Sequence, residues 1–291
     1  MKEIILYHSA DLDGHCSGAI CKSKFQDAEL YGIDYGEEVP WGKIKGRKVI
    51  MVDFSMQPWS NVQKLDKLAE EIIWIDHHKS AIDEYNVNKN TLTKQWQTTL
   101  DTSFSACELC WNTFYEDEMP HMVHLLGRYD VWDINATEDV MPFQMGMRLE
   151  KTDPATNFNI WADHILDHRG IGFFDNVVNN GRVVINYQKQ QDEKLMKPSF
   201  EINWNDLNFL VVNAAFINSI TFESKFDPEK HDAVMSFYYN GPSNKYKVSM
   251  YSPDQRTPLS DIAKQNGGGG HPFACGFEKD NIDFILNNRK N

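Results

Sequence analysis

Long apolar runs are missing from this 291-residue chain. Nothing approaches the roughly 18 consecutive apolar residues of a membrane-spanning helix, and no secretory signal pattern stands out, so a cytoplasmic protein without a membrane partner is expected. Cysteine is sparse: Cys16, Cys21, Cys107, Cys110 and Cys275 are odd in number and irregular in spacing, which excludes a disulfide framework. Cys107 and Cys110 have CxxC spacing, but no second CxxC completes a zinc set, and their apolar-periodic surroundings favour buried helix thiols. Basic residues are outnumbered, 29 Lys and Arg against 42 Asp and Glu, for a net charge of -13. That is opposite to the footprint of a protein that clamps long nucleic acid, so small phosphorylated ligands fit better. Gathered carboxylates also invite bound cations. No GxSxG elbow and no Walker A sequence are present, so neither an α/β-hydrolase-type serine nor a P-loop is indicated.

What is present is an ordinary globular composition, 41% hydrophobic and 24% charged. The length exceeds the roughly 100 to 200 residues of one domain, so two domains with a cleft between them are expected. One theme recurs in the first half: a β-rich apolar run, an acidic or histidine-bearing turn, then a helical pattern. EIILYH (3–8) leads through SADLDGH into a helix, KVIMVDF (48–54) into a helix over 61–70, and EIIWIDHH (71–78) ends the same way. Strands apolar on both faces that alternate with helices predict a parallel sheet in an α/β layer fold, with ligands at the carboxyl ends of the strands. Segments 101–115 and 119–133 read as helices, the first capped by Thr102 or Ser103. A further helical pattern runs from about 157 to 196 and stops at Pro198. The expected division is an N-terminal domain at 1–180, a helical connector at 181–198 and a smaller mixed α+β domain at 199–291. In the last, NFLVVN, AVMSFYY and YKVSMYS read as strands, NGPSNK as a hairpin connection and LSDIAKQ as a helix.

Three of the strand runs end in acids or histidines: His8 with Asp11 and Asp13, then Asp53, then Asp76 with His77 and His78. In parallel neighbours these side chains converge on one sheet edge. Each has a plainer explanation alone, since DLDG is a common turn and Asp53 could cap a helix. Paired histidines are harder to explain, because a strand sends neighbours to opposite faces. Carboxylates suit hard divalent ions, and imidazole tilts the preference towards Mn²⁺. The glycine run at 267–270 reads either as a linker or as a loop that turns N–H groups towards a phosphate, with His271 as a further donor.

HSADLDG (8–14), VDF (52–54), IDHHKS (75–80), GRYDVWD (127–133) and GGGGHPFACGF (267–277) span nearly the whole chain. On these pieces, in this order, the chain resembles the DHH phosphoesterases with a C-terminal DHHA1 domain, and most of all the short members that degrade very short RNA. The resemblance implies a parallel-sheet DHH domain facing the smaller DHHA1 domain across a cleft. It implies two divalent ions, Mn²⁺ first and Mg²⁺ or Co²⁺ as alternatives: His8 and Asp11 hold one, Asp13, His77 and Asp130 the other, and Asp53 bridges. Asp76 would orient His77, and His78 would stand near the scissile phosphate or act as a hydrogen-bonded support. Gly268, Gly269, Gly270 and His271 would grip the substrate. Asp130 has an alternative role as a helix-end residue paired with Arg128, and Arg256 is either a phosphate contact or a surface arginine. The chain departs from the family pattern in two places. Only two residues separate His8 from Asp11, where several branches have three, and Tyr251 and Ser252 stand where members often carry an arginine.

Two ions about 3.5–4 Å apart can share and acidify a water and brace phosphoryl oxygens during in-line attack, so no side-chain nucleophile is required. The expected activity is hydrolysis of short RNA, a dinucleotide or a nucleotide bisphosphate such as pAp. The alternatives are a RecJ-like single-strand DNA exonuclease and a nucleotide-binding sensor that does not cleave. Tyr238, Tyr239, Phe273 and Phe277 could stack on bases, although core packing is their commoner role. The expected partner is a short RNA or small nucleotide, with a homodimer as an option and no long-duplex binding.

Overall fold

The apolar runs of the first half become strands buried on both faces in the computed structural model, which describes residues 3–166 and 170–290. β1 (Ile4–His8), β2 (Glu29–Ile33), β3 (Lys48–Val52), β4 (Glu71–Asp76) and β5 (Gln97–Leu100) form one sheet in the order β2-β1-β3-β4-β5, every neighbouring pair parallel. Successive side chains point to opposite faces. Ile5, Tyr7, Ile50, Val52, Ile73 and Ile75 therefore join one core, while Ile4, Leu6, Val49, Met51, Ile72 and Trp74 join another.

Helices cover both faces. α1 (Leu12–Lys24), α5 (Ala106–Phe114), α6 (His121–Asp130) and α7 (Val140–Met147) contribute to the first core. The single turn α2 (Trp41–Ile44), α3 (Trp59–Leu68) and α4 (Lys79–Asn88) contribute Ile44, Val62, Leu65, Ala81 and Tyr85 to the second. The cap of α5 is Ser105 rather than Thr102 or Ser103. Its side chain takes the Glu108 N–H while Glu108 reaches back to the Ser105 N–H, a reciprocal bond that neither earlier residue offers. The helical pattern expected over 157–196 resolves into a π-helical turn at Trp161–Ile165 and the long α8 (Ile171–Leu195); residues 167–169 of that stretch lie outside the described residues. The chain divides into two units, Met1–Ile185 and Asn186–Asn291, so the division falls inside α8.

In the second unit β6 (Phe200–Trp204), β7 (Leu207–Asn213), β8 (Ala233–Asn240), β9 (Lys245–Tyr251), β10 (Gly269–His271) and β11 (Ala274–Lys279) form a mixed sheet, β10-β11-β9-β8-β7-β6. Only β7 and β8 run parallel. One face packs Phe209, Met235, Val248, Met250 and Phe277 against Leu259 and Ala263 at α9 (Ser260–Gln265) and against Ile285 of α10 (Asp283–Leu286). The glycine run is not a free linker: Gly269 and Gly270 pair with β11, and a Cβ on Gly268 would lie 2.0 Å from the Gly276 carbonyl oxygen. No helix among the described residues is long and apolar enough to cross a membrane.

In the first sheet the order reverses between β1 and β3: the chain leaves β1 for β2 on one side and returns to β3 on the other. Ligands of open α/β sheets bind in the crevice this reversal opens beyond the carboxyl ends of the strands. The acids and histidines lie there.

Candidate metal centre

Strand register sets the level of the candidates. Tyr7 pairs with Val52 and Val52 with Ile75, so His8, Asp53 and Asp76 follow at matching positions on β1, β3 and β4. Beyond β1 the chain turns directly into α1. Asp11 caps it, accepting the Gly14 N–H at 2.8 Å through Oδ1, and its Oδ2 lies 2.9 Å from His8 Nδ1. Gly14 permits this entry, because a Cβ there would stand 2.1 Å from the His8 carbonyl oxygen. Asp13 is buried in the first turn and accepts the Ala106 and Cys107 N–H groups, each at 2.8 Å. These are free amides at the start of α5, where an anion is favoured.

Asp53 sits at φ 52°, in the left-handed region that Asp tolerates better than most residues. It is 1% exposed, and neither carboxylate oxygen receives a hydrogen bond among the described residues. Oδ2 lies 3.7 Å from His8 Nδ1, and Oδ1 lies 3.4 Å from His77 Nε2. His77 Nε2 in turn is 3.2 Å from Asp130 Oδ2 and 3.7 Å from Asp13 Oδ2. Two sets result, His8/Asp11/Asp53 and Asp13/His77/Asp130, each offering one ligand atom per residue within 4.8 Å of the others. Asp53, His77 and His78 make a third such set.

So many carboxylates in one place cannot all carry charge without a counter-ion. Burial pushes Asp53 well above the ordinary carboxylate range, a shift that the Asp11 and Asp130 charges reinforce and His8 opposes. Asp13 rises to about 7 through burial and then the charge of Asp53. Asp130 rises to about 7 through burial and then the charge of Asp13. Burial alone would lower His8, but Asp11 and Asp53 outweigh it and raise the imidazole to about 11, so a proton there partly stands in for a cation. A buried carboxylate costs several kcal/mol unless compensated. Oxygens without donors, flanked by imidazole nitrogens and further carboxylates, fit hard-to-borderline divalent ions.

Asp76 is fully buried and accepts from Trp74 Nε1 at 3.2 Å, from the His77 and His78 amides at 2.7 and 3.0 Å, and from His78 Nδ1 at 2.7 Å. The imidazole it holds is therefore that of His78; His77 is touched only through its backbone. Burial would lower His78, yet the Asp76 bond and charge raise it to about 9. The alternative pairing of Asp130 with Arg128 does not occur, because Arg128 binds Glu108 and lies 3.6 Å from Asp133.

Two residues outside the predicted ligand set support the site, Asp34 unanticipated and Glu108 at the end of a segment, 103–108, that the sequence marked only as candidate support. Asp34, just beyond β2, places Oδ1 3.1 Å from His8 Nε2. The signal was the same strand-then-acid theme in YGID, masked because β2 is a short, half-exposed edge strand. Glu108 anchors Arg128 and lies 3.0 Å from His124; its signal was the S-x-x-E capping pattern.

The remaining candidates belong to the second unit. Arg256 bonds Asp254 and the Pro228 carbonyl, so its guanidinium is already engaged. His271 is exposed at the end of β10, and Gly270 has φ 131° with room for no side chain, a Cβ there lying 2.7 Å from the Ala274 oxygen. Phe277 belongs to the core, whereas Tyr239 is 54% exposed.

Residues 2–127 match the DHH family, N-terminal domain; Asp130 lies just beyond that span. The uncharacterized protein R106 of Acanthamoeba polyphaga mimivirus is 23% identical over 310 residues, covering 98% of this chain and 69% of that protein. Among solved structures, the pGpG-specific phosphodiesterase PggH from Vibrio cholerae superposes with a TM-score of 0.61 at 12% identity, over 99% of this chain and 96% of that one. RecJ from Thermus thermophilus in complex with Mn²⁺ superposes with a TM-score of 0.54 at 13% identity, over 98% of this chain and 50% of RecJ. At such identities the structural likeness is one of fold.

Proposed function

From a DHH-family chain, with the family's N-terminal domain at residues 2–127, we propose a metal-dependent phosphoesterase that hydrolyses short RNA oligonucleotides or small nucleotides such as a dinucleotide or pAp. The observation that carries this is Asp53: a buried carboxylate whose two oxygens lack donors and face two separate His/Asp sets. His8 and Asp11 would hold one ion, Asp13, His77 and Asp130 the other, with Asp53 between them. The mixed imidazole and carboxylate donors favour Mn²⁺. Bound ions would supply a water acidic enough to attack near neutral pH and would polarise the phosphoryl oxygens.

The protein's own groups do the rest. The amides of α5 keep Asp13 in place. Asp76 keeps the His78 imidazole oriented through its Nδ1, which leaves Nε2 to reach a phosphoryl oxygen or the departing alkoxide. In the second unit Gly268, Gly269, Gly270 and His271 would supply substrate contacts. Arg256, paired with Asp254 through an exposed guanidinium, would add a phosphate contact.

The net charge of -13 favours a short substrate, since long single strands are held by many cationic contacts. The fold likeness to a pGpG phosphodiesterase points the same way, towards a dinucleotide. The test is Mn²⁺-dependent hydrolysis of 5′-labelled RNA two to five residues long, with pAp and a long single-stranded DNA in parallel. Mononucleotide release fastest from the shortest RNA is expected. Preferential loss of DNA would replace this proposal with a RecJ-like exonuclease, and metal binding without turnover of any substrate would replace it with a nucleotide-binding module.

A further inference from the structure

The His8 ring is engaged at both of its nitrogens, in different ways. Nε2 makes a hydrogen bond of 3.1 Å with Asp34 Oδ1. Nδ1 is buried and close to two acids: it lies 2.9 Å from Asp11 Oδ2 without the alignment of a hydrogen bond, and 3.7 Å from Asp53 Oδ2, beyond bonding distance. Short distance without alignment is what atoms aimed at a common third point produce.

An imidazole that binds a cation keeps one N–H and offers one lone pair. A carboxylate on Nε2 retains the proton there, so the nitrogen left to face Asp11 and Asp53 is Nδ1. The two ring nitrogens diverge, and Asp34 accordingly belongs to none of the three candidate ligand sets. The short spacing of the motif fits this geometry: with two residues between them, Asp11 comes up beside Nδ1 as the cap of α1.

Asp34 is also held in place. It follows Ile33, the residue paired with His8 across β1 and β2. Its Oδ1 accepts the Tyr35 N–H at 2.6 Å, and its own N–H donates to Glu37 Oε2 at 2.9 Å. The Tyr35 ring packs edge-on to His8 at 5.4 Å, restricting the ring's rotation from the same side. A fixed carboxylate and a packed ring together define one orientation of the imidazole.

We propose that Asp34 is a positioning residue of the metal centre: it holds the Nε2–H of His8 and so presents Nδ1 to the ion shared with Asp11 and Asp53. The proposal rests on the metal-centre assignment and adds to it the ligating atom and a residue outside every ligand set. Such supporting carboxylates typically contribute about 10- to 100-fold in metal affinity, and Asp34, whose side chain is 45% exposed, belongs at the lower end of that range.

The test is Mn²⁺ binding by calorimetry to the full chain, as wild type, Asp34→Ala and Asp34→Asn, together with ¹⁵N spectra of histidine-labelled protein loaded with Zn²⁺. Asp34→Ala should weaken one Mn²⁺ site about tenfold while leaving the other. Asp34→Asn should recover most of the loss, because its amide oxygen still accepts from Nε2. The ¹⁵N spectra should show His8 metallated at Nδ1 and protonated at Nε2. Unchanged affinity in a folded Asp34→Ala protein, or metal on Nε2, would overturn the proposal while leaving the metal centre standing. A wild-type protein that binds neither ion would remove both.

Discussion

Arg128 is bonded to Glu108, its Nε 3.1 Å from Oε1 and its Nη2 in still closer contact with Oε2. The pair joins the two elements that frame one side of the site. Glu108 is the third residue of α5, whose first two amides hold Asp13, and Arg128 stands two residues before Asp130 at the end of α6. Gly127 allows the approach, since a Cβ there would lie 2.5 Å from Ser105 Oγ. An ion pair to which neither belongs thus links the helix whose amides hold Asp13 to the helix that carries Asp130.

Arg128→Ala should destabilise the protein by about 3 kcal/mol in urea unfolding, the lower end of the cost of stranding one partner of a buried ion pair, because His124 remains beside Glu108. It should also weaken the Asp13/His77/Asp130 set more than the His8/Asp11/Asp53 set. Arg128→Lys should recover only part of the loss, since an ammonium cannot reproduce the two-pronged contact. Wild-type stability in Arg128→Ala would mean that the pair does not organise this side of the site.

Asp53→Asn should separate folding from function. In metal-free protein the neutral side chain removes a charge that burial and the neighbouring acids disfavour, so the melting temperature should rise. If Asp53 is the ligand shared by two ions, the stabilisation by saturating Mn²⁺, and any Mn²⁺-dependent turnover with it, should fall to a small residue. Melting curves with and without Mn²⁺ on both proteins decide the matter; a mutant that keeps the full Mn²⁺ shift would show that Asp53 is not the shared ligand.

The carboxyl shifts give the metal-free protein an inverted pH response. Asp13 and Asp130 titrate at about 7 in the folded state, above their unfolded values near 3.9. The folded form thus holds more protons than the unfolded form, and the stability these groups contribute, fully present below about pH 4, is lost as pH rises through 7. Asp53 acts in the same direction, and Asp11, whose value is lowered, opposes it. Divalent ions compete with those protons, so Mn²⁺ affinity should rise between about pH 5 and 7.5. Melting temperature in EDTA should fall with pH across that range, and saturating Mn²⁺ should flatten that fall because ligated carboxylates hold no proton to lose; identical slopes would exclude these carboxylates as the groups that bind the ion.

The parallel sheet was legible because β1, β3 and β4 are central strands, apolar on both faces and each followed by an acid or histidine. The edge strands β2 and β5 were not, since ELYGI and QTTL are half-exposed and carry no continuous apolar run. Asp34 was lost with β2. The strand-end residues of the site were readable as a set because three turns repeat one theme, whereas Asp130, at the end of α6, entered only through the family resemblance. What supports them was not: Asp13 depends on amides 93 and 94 positions away, and Asp76 reaches His78 instead of the His77 ring, a matter of side-chain direction that spacing does not encode.

Gly14 offers the sharpest test of how sequence builds this site. A Cβ at that position would stand 2.1 Å from the His8 carbonyl oxygen and 2.7 Å from the His8 Cβ, and both obstacles are fixed to β1. Gly14→Ala must therefore move the start of α1 away from the end of β1. Overpacking of this kind costs about 1–3 kcal/mol, and the upper end applies where backbone has to shift. The same movement lengthens the Gly14 N–H bond to Asp11 and separates Asp11 from His8, so the His8/Asp11/Asp53 set should lose Mn²⁺ affinity along with stability. Gly42→Ala is the control: that glycine lies in α2 with nothing within 4 Å of a new Cβ, so the change should be neutral or stabilise by up to about 1 kcal/mol. If both variants melt and bind Mn²⁺ like wild type, the close approach of Gly14 to His8 does not hold the site together; if only Gly14→Ala fails, the glycine of DLDG is as much a part of the metal centre as its two acids.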